Sequence, residues 1–211
     1  MNLIKHLADC GIVIVSGRVH RSDFARAAIV LASETLTLWH GGNLDTDKEY
    51  VAQKGGRWEN GPGLYLTTHY GTAKKYAKGS RKLYKVVIRK GTDIGEVRLN
   101  MPNVVDFIDE YVPKAKSKDV LNRITKRSSG DKVDADVFLN VMINEQAIKS
   151  TGTGQLRKFL VDNGVDYSIQ DNAFGWHERM VVLFNMKNLV SKTAVKPSDD
   201  IEIFDLPTQW Q

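Results

Sequence analysis

The chain reads as one α+β domain, and three observations lead there. Five short runs, 35–40, 64–67, 82–89, 165–169 and 178–184, are β-branched or alternate apolar and polar residues with the period-two rhythm of strands. Segments with apolar residues at helical spacing, 104–126, 134–147 and 154–161, fall together between the third and fourth of those runs. That grouping describes α+β rather than alternating α/β architecture. Finally, 211 residues with 42% apolar and 26% charged side chains suffice for one sizeable core, with no linker, repeat or low-complexity stretch to divide it.

Taken in order, residues 2–10 are expected to form a short helix with Leu3, Ile4 and Leu7 on one face, stopped by Gly11. Ile12 to Val15 reads as a strand, and 22–32 as a helix behind a Ser22 N-cap. The N-terminal 33 residues carry no motif. The interruption at Asp9 makes the apolar N-terminus read as mature protein rather than a signal peptide. Thr35 to His40 then puts Leu36, Leu38 and His40 on one face of a strand. His40 is either a satisfied core residue or a ligand contact, and the Gly41-Gly42 that follows lets a ligand approach the backbone.

Residues 43–60 are a long polar loop, and 60–63 a turn. Leu64 to Thr67 is a strand leading into a helix over 71–78. After the 82–89 strand, the 104–126 helix breaks at Pro113, which cannot donate inside a helix. The lysines of 114–118 read as a solvated face, and Asn163-Gly164 as a helix cap. In 178–184, Glu178, Met180, Val182 and Phe184 share a face. A carboxylate heading an apolar row is costly to bury unless something binds it, which makes Glu178 the strongest physical hint in the chain.

No apolar run is long enough to cross a membrane, and a single Cys10, read as a small buried thiol, suits a reducing compartment. The net charge of +5 mildly favours phosphate-bearing partners without establishing nucleic-acid binding. No His, Cys or Asp cluster has metal-ligand spacing, and no phosphate-cradling glycine motif occurs. His69 and His177 read as surface residues, and Asp171 as a second acidic candidate.

Leu38-Trp39-His40-Gly41, the run Gly61-Pro62-Gly63-Leu64-Tyr65 with Tyr76 eleven positions after Tyr65, and Glu178 opening an apolar strand occur in a characteristic order. Together they resemble the NAD-binding core of the poly(ADP-ribose) polymerase and diphtheria toxin class of ADP-ribosyltransferases, in three short blocks between about 36 and 190. The resemblance implies a split antiparallel β-sandwich with flanking helices and a helical insertion. Its NAD-binding core would cover about 34–192 of a single 1–211 domain. It implies Glu178 as the catalytic carboxylate and His40 as the ribose contact. Gly41 would be the backbone contact to the nicotinamide carboxamide, and Tyr65 and Tyr76 the walls of the nicotinamide pocket. Ala73 stands where the polymerases bind the carboxamide through a serine, so one hydrogen bond is lost there.

The activity implied is mono-ADP-ribosyl transfer from NAD, without a metal, to a macromolecule, protein before nucleic acid. The alternatives are an NAD glycohydrolase, an RNA 2'-phosphotransferase-like enzyme, or a non-catalytic module that binds NAD or ADP-ribose. Arginine is the less expected acceptor, because Trp176 stands where arginine-specific relatives carry a second acid or Gln. The loop 170–177, with Phe174 and Trp176, is expected to recognise the acceptor. A cytoplasmic setting, including that of a host cell for a phage protein or delivered toxin, is expected.

Overall fold

The computed structural model describes residues 34–44, 59–77, 82–149, 152–171 and 178–196. The helices expected over 2–10 and 22–32, the strand over 12–15, Cys10, and most of the loops 43–60 and 170–177, with Phe174, Trp176 and His177, lie outside these residues.

In chain order the elements are β1 (Thr35–Gly41), β2 (Leu64–Thr67), α1 (Tyr70–Tyr76), β3 (Leu83–Arg89), β4 (Arg98–Asn100), α2 (Met101–Tyr111) and α3 (Lys114–Thr125). There follow β5 (Lys132–Asp134), α4 (Ala135–Asn144), α5 (Thr153–Asp162), β6 (Tyr167–Asp171), β7 (Arg179–Leu183) and β8 (Leu189–Val195). The architecture is α+β. Six strands form an antiparallel sheet in the order β6-β7-β2-β1-β3-β8, and β4 and β5 form a separate two-stranded one.

Each side of β7 meets a different apolar layer, as a strand's alternation requires. Met180 and Val182, with Phe184 just beyond the strand, pack against the helices through Phe138, Leu139, Leu156 and Leu160. Val181 and Leu183 lie with Leu36, Leu38, Leu64, Leu66, Val86 and Ile88 in the second layer. The shared face expected for 180, 182 and 184 is therefore present. Glu178 itself sits one residue before the strand, and β6 starts at Tyr167 rather than at 165.

The helical unit follows its local chemistry. Pro102 occupies the first turn of α2, where its missing N–H is harmless, and Pro113 is the N-cap of α3, so the expected break falls there. The helix expected to reach Ala147 ends at Asn144, because Gln146 adopts φ 46°. Ala147 N–H bonds Met142 O at 2.9 Å and Gln146 N–H bonds Ile143 O at 2.9 Å, the paired closure of a left-handed helix terminus. The 114–118 lysines are exposed as expected, but Lys116 also acts here. Its Nζ donates to Glu145 O (2.9 Å) and Gln146 O (3.1 Å), satisfying carbonyls at the end of α4.

Candidate active site

The sheet is weakest at its centre. β1 pairs with β3 along seven consecutive positions, yet with β2 only at Trp39↔Thr67. Gly42 N–H bonds Lys82 O at 2.9 Å, so Gly42 turns its polar backbone groups toward β3. By alternation Gly41 turns its own toward β2. The next ladder pair, Gly41 opposite Tyr65, is not formed.

His40 enters the space where the strands part. Its Nδ1 lies 2.9 Å from the Tyr65 carbonyl oxygen. A carbonyl only accepts, so Nδ1 carries the proton and Nε2 presents a bare lone pair. That Nε2 is buried and makes no hydrogen bond among the described residues. A Cβ on Gly42 would lie 3.5 Å from it, and at φ 133° that position suits glycine. Burial lowers the His40 pKa below its ordinary 6.5, and the Tyr65 and Asn43 backbone beside the ring opposes this only in part.

The sign of the linkage follows. In the window just below pH 6.5 the unfolded chain binds a proton that the folded one resists, so stability is intact above 6.5 and falls as the pH drops through that window. The melting midpoint should fall between pH 7.5 and 5.5. The fall should shrink in His40→Asn, whose amide can still donate to the Tyr65 carbonyl. An equal fall in both proteins would assign the effect elsewhere.

Glu178 is 3% exposed. No cation among the described residues pairs with it; its neighbour Arg179 is bound instead to Asp171, Nε to Oδ1 at 2.6 Å. Two hydroxyls hold the carboxylate. Thr67 donates to Oε1 at 2.5 Å and Thr72 to Oε2 at 3.0 Å. Hydrogen bonds to a charged group contribute about 1.5–3 kcal/mol each, which offsets part of the desolvation cost. Thr68 fixes the backbone beside it. Its N–H donates to Arg179 O and its Oγ1 accepts from Arg179 N–H, both at 3.0 Å.

The two tyrosines lie on different elements. Tyr65 OH donates to Gly61 O (2.9 Å) and accepts from Asn60 N–H (3.2 Å), and Gln170 donates to Asn60 Oδ1 (2.7 Å). Tyr65 sits two residues before Thr67 on β2. Tyr76 closes α1 one helical turn after Thr72, with 61% of its surface exposed. Ala73 is buried with Trp39, Ala77 and Leu83, where α1 lies on β1. Tyr70 meets the Trp39 ring edge-on at 5.1 Å.

The structure joins His40 to the Tyr65 carbonyl and, separately, Glu178 to Thr67 and Thr72; Gly41 lies at the end of β1 against α1, which Tyr76 closes. Asp171, the second acidic candidate, is exposed and engaged by Arg179. His69 is only half-exposed; its Nδ1 lies 3.0 Å from Thr68 Oγ1. Sequence reasoning passes over Thr67, Thr68, Thr72, Asn60 and Gln170. A buried carboxylate demands donors, and the hydroxyls just past the strand before α1 are the signal that could have found them. Among the described residues no group of His, Cys, Asp and Glu could hold a metal ion, and no helix is long and apolar enough to cross a membrane.

No family model matches the sequence, and neither does any curated protein. Among solved structures the chain is similar to one described as "Crystal structure of an anti-CRISPR protein". The TM-score is 0.38 and the identity 11%, over 77% of this chain and 97% of that one.

Proposed function

We propose that the chain is a mono-ADP-ribosyltransferase that cleaves the nicotinamide–ribose bond of NAD and passes ADP-ribose to a macromolecule, protein before nucleic acid. The observation that carries this reading is the buried Glu178 carboxylate, unpaired with any cation among the described residues and fixed by two hydroxyls. Such a group suits a reaction in which positive charge appears transiently.

As nicotinamide leaves, charge builds on the ribose ring, and a fixed carboxylate next to it stabilises the oxocarbenium-like transition state. Each Glu178 oxygen keeps a lone pair for a ribose hydroxyl. The unprotonated Nε2 of His40 can accept from a second hydroxyl. In this reading the Gly41 backbone takes the carboxamide, and the Tyr65 and Tyr76 rings take the nicotinamide faces. The parting of β1 from β2 supports the split-sheet fold of ADP-ribosyltransferases as the finer description of this α+β chain. NAD and its macromolecular acceptors meet in a cytoplasm, which is the setting this reading favours.

The test is incubation of the purified chain with NAD labelled in its adenine ribose and with a cell lysate. Label on protein, released by treatments that cleave ADP-ribose linkages, is the expected result, and label on nucleic acid would change the acceptor class alone. Free nicotinamide without labelled macromolecule would make water the acceptor. No nicotinamide release would overturn the reading.

A further inference from the structure

We propose that Thr67 and Thr72 are positioning residues that hold the Glu178 carboxylate in its reactive orientation; the proposal rests on the reading of Glu178 given above. Three pieces of chain meet at this carboxylate. Thr67 ends β2, Thr72 lies in the first half of α1, and Glu178 precedes β7. The Thr67 hydroxyl has one proton, and its oxygen already accepts His69 N–H at 3.0 Å, so that proton is directed to Glu178 Oε1 at 2.5 Å. The bonds run in one direction, from the backbone amide at the start of α1 through Thr67 to the carboxylate. Each bond polarises the next. Thr72 holds the other oxygen at 3.0 Å.

The terminal torsion of a glutamate is broad and roughly two-fold, so a carboxylate held at one oxygen turns easily. One held at both, by β-branched residues whose own first torsion is stiff, does not. Charge stabilisation is largest when the stabilising group need not reorient as the charge develops. The paired hydroxyls therefore act on turnover through Glu178, and the carboxylate retains lone pairs for substrate.

The experiment measures nicotinamide release by the full chain as wild type, Thr67→Val, Thr72→Val, the two Ser variants and Glu178→Gln, with melting midpoints alongside. Each Val variant should lose roughly ten- to hundredfold in kcat with KM for NAD nearly unchanged, and each Ser variant should recover most of it. Added to Glu178→Gln, either Val substitution should cost little more, because the group it positions has already been replaced. Wild-type kcat in the Val variants, or an equal loss in the Glu178→Gln background, overturns the proposal and leaves the role of Glu178 standing. Absence of release from the wild type overturns both. Should Thr67→Val not fold, Thr72→Val, on a half-buried position of α1, decides the question alone.

Discussion

Glu178→Gln should lower NAD cleavage by roughly 10²–10³-fold, about 2.7–4 kcal/mol of transition-state stabilisation, with little change in stability. Glutamine fills the same volume, and its amide can accept from Thr67 while donating to Thr72, so both contacts seen at Glu178 survive in altered form. Only the charge is lost. Single-turnover release of nicotinamide, measured with a melting curve on the same preparation, separates the two effects. Full activity in a folded Glu178→Gln protein would remove the residue from the chemistry. A large drop in melting midpoint would mean the carboxylate serves the fold as well.

Gly41→Ala should be the most damaging small substitution at the seam. A Cβ there would stand 1.8 Å from Ala73 O, 2.8 Å from Ala73 C and 2.8 Å from Ala77 N, all backbone atoms of α1 or its C-cap. Backbone cannot swing aside as a side chain can, so α1 must move away from β1, uncovering Trp39, Ala77 and Leu83. The cost is on the order of 3 kcal/mol, which for a chain of this size lowers the melting midpoint by about 6–12 °C. Because α1 carries Thr72 and Tyr76, turnover should fall even below the melting transition. Unchanged melting and turnover in the Gly41→Ala protein would show that α1 does not sit against β1 as described. The sequence suggests that Gly41 serves the approach of a ligand. On the side its Cβ would occupy, the structure supplies a different reason, the approach of a helix.

Much of the framework was legible because it is written in local periodicity. Alternation marked β1, β3 and β7, the helical spacing around Val141 and Leu160 marked α4 and α5, and Pro113 marked the break between α2 and α3. Elements of three residues, β4 and β5, are too short to show any period. β8 was also missed, since Ser191, Lys192 and Thr193 give it little apolar alternation and its side chains are mostly exposed. His40 and Glu178 could be singled out as polar residues in apolar rows, and the structure buries both. Their partners could not. Thr67 and Thr72 lie 111 and 106 positions from Glu178, and the Tyr65 carbonyl lies 25 from His40, so these contacts depend on which strands become neighbours. The parting of β1 from β2 is likewise a matter of register, invisible to either strand alone.

That parting has a mechanical consequence. Backbone hydrogen bonding makes the sheet behave as two three-stranded panels, β6-β7-β2 and β1-β3-β8, with Trp39 and Thr67 as the hinge pin. What resists their rocking is the oily layer of Leu36, Leu38, Leu64, Leu66, Val181 and Leu183, which straddles both. Side-chain packing tolerates small shear but not separation. The panels can therefore tilt by small angles while the molecule as a whole stays folded.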